Sequence, residues 1–356
     1  MIELEIIGLM SGTSLDGLDI AHVQFRKNGN LKEFKLLNYK TFNYESSFIN
    51  ELHSAPNLTL VDLFMLDKKI GKVFAGFVNE FINELQLNRN NIQAIASHGQ
   101  TILHQPQNGF TLQIGCGATI AYHTKLPVIN DFRTMDVVAG GQGAPLVPKG
   151  DFDLFANQAN AFLNLGGFAN ISMKKSGEII AFDICPANLP LNELVKQKGL
   201  SFDKDGNIAR KGFVNQNLFE RLNGLEYYAK IAPKSLGTEW LDESFYPILN
   251  SIKLPIEDKL ATVTEHLAQQ IAQTLTPNNL TKVLATGGGT KNLFLIERIQ
   301  SLSKNALMFP DESVSDFKEA IIFAYLGALY IWGEPNSLST VTGAKKNTIG
   351  GCLHKC

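Results

Sequence analysis

Three glycine-containing turns are the clearest places in this sequence where the backbone could bind phosphate. Each follows a short apolar run, the first at residues 12–17. Glycine lets the main chain approach an anion closely, so that bare N–H groups can donate to phosphate oxygens. A single turn of this kind is more often just a hairpin, but three favour a nucleotide-binding protein. The candidates in the second and third turns are Gly166, Gly167, Gly287, Gly288 and Gly289.

The first turn carries hydroxyl and carboxylate groups as well as glycine. Its phosphate-binding candidates are Gly12, Thr13, Ser14, Leu15, Asp16, Gly17, Leu18 and Asp19. Acidic residues beside an anion site make sense if a hard cation such as Mg²⁺ lies between carboxylate and phosphate, and Asp16 is the candidate ligand. The chain lacks both the P-loop spacing and a Gly-x-Gly-x-x-Gly that opens a helix, so neither of those nucleotide-binding classes is supported.

A second group of polar residues surrounds an arginine. Asp131, Arg133 and Asp136 lie between a predicted strand and the glycine-rich loop 139–145. A guanidinium flanked by carboxylates suits a polar ligand that carries a carboxylate. An internal ion pair that braces the loop explains the same pattern equally well.

Two more side chains stand at predicted strand ends. Asp183 is either a catalytic carboxylate or an ordinary turn acid, and His98 could position a ligand hydroxyl or be structural. No histidine pair has metal-ligand spacing, and no serine shows the pattern of a hydrolase triad.

The predicted elements that must position these groups follow a repeated pattern. A meander of three short strands joined by close turns is predicted at residues 3–42 and again at 161–183, and such short connections require antiparallel pairing. Helical periodicity predicts helices at 60–85, 258–275 and 317–331. The pattern predicts an α/β chain whose two similar domains, residues 1–150 and 151–356, face a cleft.

Composition narrows the class of protein. The 356 residues allow two domains, at about 150 residues each. A net charge of -2 gives no basic surface for nucleic acid, and the longest apolar run, 320–332, is too short for a bilayer. The acidic N-terminus does not resemble a signal peptide, and four cysteines without Cys-x-x-Cys spacing indicate a reduced, cytoplasmic protein.

Several segments, taken in order, resemble the anhydro-N-acetylmuramic acid kinases, which belong to the sugar kinase, heat-shock-70 and actin superfamily. The resemblance covers nearly the whole chain. The matching pieces are residues 8–19, 97–101, 131–148, 164–171, 205–209, 233–235, 287–292, 318–320 and 341–344.

The resemblance implies two actin-like (ribonuclease H-like) domains around a central nucleotide cleft that binds ATP and Mg²⁺. It implies that the first two glycine turns hold the phosphates and that residues 287–289 approach the adenosine. Asp183 matches the family's catalytic base. The implied sugar-binding residues are His98, Asp131, Arg133, Asp136 and Glu319.

The family hydrolyses the 1,6-anhydro bridge of its sugar and phosphorylates the freed O6, a step of cell-wall recycling. The resemblance therefore implies a cytoplasmic homodimer that takes ATP and a small sugar, with no nucleic-acid or membrane partner. Two other classes from the same superfamily stay open as alternatives, a phosphohydrolase and a nucleotide-switch protein.

This chain departs from the family pattern in a few places. After Asp183 the usual Thr-Gly-Pro-Gly is replaced by residues 184–187, Ile-Cys-Pro-Ala, and an arginine of the family is replaced by Thr238. The base and the first phosphate loop are retained, so the departures bear on rate and sugar preference.

Overall fold

The computed structural model describes residues 2–12, 15, 17–232, 234–276, 278, 280–303 and 306–356. Its strands are β1 Ile2–Met10, β2 Gly17–Asn28, β3 Leu31–Asn43, β4 Ile92–Ser97, β5 Gln100–Gln105, β6 Phe110–Ile114, β7 Val128–Asn130, β8 Ala161–Leu165, β9 Phe168–Lys175, β10 Glu178–Pro186, β11 Lys282–Thr286, β12 Ala306–Met308 and β13 Cys352–His354.

The helices lie between groups of these strands. They are α1 Ser46–Ser54, α2 Leu60–Glu84, α3 Gly117–Thr124, α4 Thr134–Val138, α5 Val147–Leu154, α6 Asn188–Lys196, α7 Gln216–Asn223, α8 Thr238–Trp240, α9 Tyr246–Asn250, α10 Ile256–Leu275, α11 Leu293–Ser303, α12 Glu312–Asp316, α13 Lys318–Trp332 and α14 Ser339–Thr342. A π-helical turn, Leu241–Phe245, joins α8 to α9. Among the described residues, no helix has the length and apolar character to cross a membrane.

The chain divides into two compact units. The first comprises residues 1–155 and 317–356, and the second comprises residues 156–316. The C-terminal segment therefore belongs to the first unit, whereas the sequence analysis assigned it to the second domain. The physical reason is the packing of α13 on β1, β2 and β4. The approach is so close that a Cβ at Gly8 would overlap the carbonyl oxygen of Ala320.

The sheet of the first unit has the strand order β13-β7-β4-β1-β2-β3. β1, β2 and β3 form the predicted antiparallel meander, and β4 and β7 extend it in parallel on the other side of β1. Ile6 and Ile7 are both fully buried although they point to opposite faces, so β1 is covered on both sides. α13 packs on this sheet and is apolar around its circumference, which is typical of a buried helix.

The sheet of the second unit has the order β10-β9-β8-β11-β12. β8, β9 and β10 form the second predicted meander, and β11 and β12 add to it in parallel. If the strands of each sheet are numbered along the chain, both sheets have the spatial order third, second, first, fourth, fifth. In the first unit, β13 is an additional edge strand beside the fifth. This is the topology of actin-like, ribonuclease H-like domains, so the predicted α/β fold class is confirmed.

Candidate functional site

The first glycine turn leaves β1 and enters β2, and side chains from elsewhere in the first unit hold its stem. Ser11 Oγ donates to Gln100 Oε1 at 2.5 Å and accepts from the hydroxyl of Tyr44 at 2.7 Å. Gln100 Nε2 in turn donates to the carbonyl oxygen of Gly12 at 3.3 Å. The predicted phosphate ligands Thr13 and Ser14 and the predicted magnesium ligand Asp16 lie outside the described residues.

The described residues of this turn are closely packed, and several of them have structural roles. Leu15 has a φ of +56°, which is costly for a side chain of this size. A Cβ at Gly17 would come within 2.5 Å of the Phe42 carbonyl oxygen, so this glycine permits β2 and β3 to pair. Leu18 is wholly buried in the core. The carboxylate of Asp19 accepts from the hydroxyl of Thr41 at 2.5 Å.

His98 and Arg133 form a hydrogen-bonded pair in the first unit. Arg133 donates from Nε at 3.2 Å and from Nη2 at 3.0 Å to Nε2 of His98, and from Nη1 to the Gly143 carbonyl at 2.8 Å. Nδ1 of His98 lies 2.9 Å from the Gly99 carbonyl, so the proton sits on Nδ1. Burial, and then the Arg133 charge, lower the pKa of His98 to about 3, so the ring is neutral. Both ring nitrogens are occupied, and His98 therefore orients Arg133.

Asp136 holds the glycine-rich loop in place. The side chain is fully buried, and its oxygens accept from the Gly143 N–H and from the hydroxyl of Thr342, each at 2.8 Å. Gly141 is needed beside it, because a Cβ there would overlap Asp136 Oδ2. Asp136 thus braces the loop through these hydrogen bonds, and its contact with a sugar stays a prediction.

Asp131 and Glu319 complete the predicted sugar-binding set. Asp131 has a φ of +59° and accepts from the Thr134 N–H at 3.3 Å at the start of α4. Glu319 lies in the first turn of α13. Protein atoms that crowd Glu319 raise the pKa of its carboxyl, whereas the Lys318 and Arg133 charges lower it. The Glu319 side chain is nevertheless exposed, and its hydration favours the ionised carboxylate.

The second and third glycine turns meet in the second unit. β8 and β11 run parallel with Asn164 opposite Thr286, so the turns that follow them share one edge of the sheet. Asn188, at the start of α6, holds the second turn, since its Nδ2 donates to the Leu165 carbonyl at 3.2 Å and its N–H donates to the Gly166 carbonyl at 3.1 Å. It also lies beside the third turn, because a Cβ at Gly289 would be 3.2 Å from Asn188 Oδ1. A Cβ at Gly289 would lie 2.8 Å from the Leu165 side chain.

The glycines of these turns differ in whether an added Cβ would clash with neighbouring atoms. Gly287 has a φ of +89°, and a Cβ there would lie 2.5 Å from Asn164 Oδ1. A Cβ at Gly167 would press on Leu189 at 3.1 Å. Gly288 is exposed, and a Cβ there would meet only Asn188 Nδ2, at 3.8 Å. A Cβ at Gly166 would make ordinary contacts at 3.4 Å and beyond. Packing within the unit therefore requires glycine at 287 and 289 but not at 166 or 288.

Asp183 lies in β10 where the strand bulges, because Asp183 pairs with Asn170 while Cys185 pairs with Ala169. A bulge bends the strand and redirects the side chains beside it. One carboxylate oxygen, Oδ2, accepts from the Leu236 N–H at 2.8 Å. Burial raises the pKa of Asp183, and the Leu236 N–H partly offsets that rise. The half-buried carboxylate is thus a stronger proton acceptor than one in water.

Three groups around Asp183 were missed by the sequence analysis. The hydroxyl of Tyr227 donates to the Asp183 carbonyl oxygen at 2.6 Å, and the Asp183 N–H donates to the Lys234 carbonyl at 3.1 Å. The third is the Leu236 N–H. These contacts join residues 44 to 53 positions apart, so no local spacing could have revealed them.

The described residues contain no cluster of three or more histidine, cysteine or acidic side chains able to hold a metal ion. A magnesium ion that accompanies a nucleotide does not need such a cluster, because phosphate oxygens and water supply most of its ligands. The half-buried Asp19, beside the first glycine turn, fits the single carboxylate that such an ion requires.

Comparison with known proteins gives matches along nearly the whole chain. The model of the family described as anhydro-N-acetylmuramic acid kinase matches residues 4–355. A curated protein of that name from Zymomonas mobilis is 35% identical over 372 residues, which covers 98% of this chain and 99% of the relative. Another, from Bacillus cereus strain G9842, is 36% identical over 373 residues, with 97% and 98% covered. A solved dehydratase activator from Clostridium difficile is 12% identical with a TM-score of 0.43 over 93% of this chain and 97% of that one.

Proposed function

The chain belongs to the anhydro-N-acetylmuramic acid kinase family, and from this premise we propose that it uses ATP and water to convert 1,6-anhydro-N-acetylmuramic acid into N-acetylmuramic acid 6-phosphate and ADP. Water adds at C1 of the sugar, the bond from C1 to the bridging oxygen breaks, and that oxygen, now O6, takes the phosphoryl group from ATP. The reaction would serve cell-wall recycling. The observation that best supports this proposal is the half-buried position of the Asp183 carboxylate at the β10 bulge.

Asp183 suits the role of the base that activates water. Its Oδ2 is bound by the Leu236 N–H, and its Oδ1 has no hydrogen-bond partner among the described residues. Burial raises its pKa, which strengthens it as a proton acceptor. A leaving sugar oxygen normally needs a general acid. Here the transfer of a phosphoryl group to O6 would remove that need, so a single carboxylate suffices.

The glycine turns suit the nucleotide. Gly166 and Gly288 are glycines that packing does not require, so their backbone is free of side-chain bulk where a ligand could approach. Positioning and charge neutralisation account for most of the catalysis of phosphoryl transfer. Mg²⁺ bound with ATP would neutralise charge on the phosphates, with Asp16 as its predicted ligand and Asp19 as a second carboxylate beside the turn.

Arg133 suits the carboxylate of the sugar's lactyl group. Three of its five N–H groups donate to His98 and Gly143, and the other two have no partner among the described residues. Two N–H groups on one planar guanidinium can bind both oxygens of a carboxylate. Arg133 keeps its charge at neutral pH, because burial lowers its pKa only to about 10.

Product analysis in heavy-oxygen water tests the reaction as a whole. We expect the label at C1 of the sugar and none in the phosphate, with inverted configuration at C1, because water attacks opposite the departing O6 in one displacement. Asp183→Asn should lower kcat by about 10²–10⁴-fold. Asp242→Asn removes an exposed acid of the same unit and is the matched control. Label in the phosphate, or an Asp183→Asn rate within about threefold of the wild-type rate, would refute the proposal.

ATP turnover without sugar separates this function from the alternatives. A phosphohydrolase or a nucleotide switch would turn over ATP at the same rate whether or not the anhydro sugar is present. We expect turnover that depends strictly on the sugar.

A further inference from the structure

We propose that Tyr227 is a positioning residue for Asp183, and that it fixes the backbone from which the Asp183 carboxylate reaches water. This inference rests on the proposed function, because it assigns a task to a neighbour of the proposed base. It concerns only the second unit and the contacts described within it.

The position of Asp183 in the sheet explains why it needs external support. β10 is the edge strand of its sheet. The Asp183 N–H donates to the Lys234 carbonyl at 3.1 Å, and the Asp183 carbonyl accepts from the Tyr227 hydroxyl at 2.6 Å. An edge strand that bulges loses ladder hydrogen bonds at that point. The Tyr227 hydroxyl therefore holds the backbone of this edge strand at Asp183, next to the bulge.

The surroundings of Tyr227 make it a fixed donor. Its side chain is buried, with the Trp240 ring 5.5 Å away. Lys234 Nζ lies 4.5 Å from the centre of the Tyr227 ring and donates to the Tyr227 carbonyl at 3.2 Å. Burial, and then the negative charge of Asp183, raise the pKa of the Tyr227 hydroxyl far above neutral pH. The hydroxyl thus keeps its proton and donates throughout the working range.

These contacts act on the two sides of Asp183 at once. Tyr227 holds the carbonyl of Asp183, and the Leu236 N–H holds Oδ2. With the backbone and one oxygen fixed, the carboxylate has little freedom to rotate, and Oδ1 is the oxygen presented for proton transfer. Misplacement of a catalytic group by about 1 Å can cost about 10²-fold in rate.

The chain provides a matched control in the adjacent residue. Tyr228 is a half-buried tyrosine, and its hydroxyl lies 2.9 Å from His266 Nε2. Among the described residues this hydroxyl makes no hydrogen bond with Asp183. Tyr227→Phe and Tyr228→Phe each remove one buried hydroxyl from neighbouring positions. We expect Tyr227→Phe to lower kcat by about 10–100-fold with ATP affinity unchanged, and Tyr228→Phe to stay within about threefold of the wild type.

A double-mutant cycle separates positioning from general damage to the fold. If Tyr227 acts through Asp183, Tyr227→Phe should have little further effect in an Asp183→Asn background, measured by single turnover at high enzyme concentration. Equal losses in both backgrounds, or equal losses from Tyr227→Phe and Tyr228→Phe, would overturn the inference. If Asp183→Asn itself retains full activity, the proposed function fails instead, so the two failures are distinguishable.

Discussion

A Gly288→Ala substitution should show whether this glycine is required for ligand binding rather than for packing. Gly288 is exposed, its φ lies outside the left-handed region, and the nearest atom to an added Cβ is 3.8 Å away. Alanine should therefore fit without strain. At sites of this kind it can even stabilise a protein by about 0.4–1 kcal/mol, because the unfolded chain loses conformational freedom.

Two neighbouring glycines provide the contrast. Gly287 has a φ of +89° and a ψ of 162°, a conformation that essentially only glycine adopts. The backbone strain of alanine there costs about 1–3 kcal/mol before any clash, and the added Cβ would lie 2.5 Å from Asn164 Oδ1. At Gly289 an added Cβ would lie 2.8 Å from Leu165. We expect Gly287→Ala and Gly289→Ala to destabilise the second unit by about 2–4 kcal/mol.

Tryptophan fluorescence can measure these changes one unit at a time. The chain has two tryptophans, Trp240 in the second unit and Trp332 in the first. In a Trp332→Phe background, urea unfolding followed by fluorescence reports on the unit that contains Gly288. ATP affinity is measured by calorimetry on the same proteins.

The proposed nucleotide contact predicts opposite outcomes for folding and binding. Gly288→Ala should leave the unfolding free energy within about 1 kcal/mol of the wild-type value. Its ATP Kd should rise about 10–100-fold, which equals about 1.4–2.7 kcal/mol. If Gly288→Ala binds ATP normally, the third turn does not approach the nucleotide and the reasoning from its open Cβ position is wrong.

Two further predictions concern the arginine and the buried histidines. Arg133→Lys should raise the KM for the sugar by about 10–100-fold with ATP affinity unchanged, because lysine cannot form the planar fork; a KM within about threefold of the wild-type value would contradict a carboxylate contact. His266 is fully buried, and burial lowers its pKa to about 3, so on acidification the unfolded state takes up a proton first. Stability should therefore fall from pH 6.5 downwards, by about 2 kcal/mol for this group between pH 6.5 and pH 5. In the Trp332→Phe background, His266→Gln should reduce the number of protons taken up on unfolding by about one, measured by urea unfolding at several pH values. An unchanged slope of the unfolding free energy with pH would contradict this prediction.

The sequence alone determined the class of fold and the protein family, and it predicted where the chemistry takes place. Strand periodicity and glycine turns predicted both meanders, because short antiparallel connections leave their pattern in adjacent residues. The family motifs also predicted the anhydro-N-acetylmuramic acid kinase family, which the relatives confirm. The separate roles of the site residues stay predictions, and experiments on Asp183, Arg133 and Gly288 test them.

Only the tertiary structure decided which contacts the individual residues make. Asp136 and Arg133 carry equally suggestive side chains, yet Asp136 bonds to Gly143 and Thr342, while two N–H groups of Arg133 have no partner in the described part of the chain. Gly287 and Gly288 are identical in sequence terms and differ only in backbone angle and neighbours. Tyr227 reaches Asp183 across 44 residues. Likewise, the apolar helix α13 returns to the first unit because β1 offers it a buried surface. Such contacts depend on chain paths through space, which local spacing does not encode.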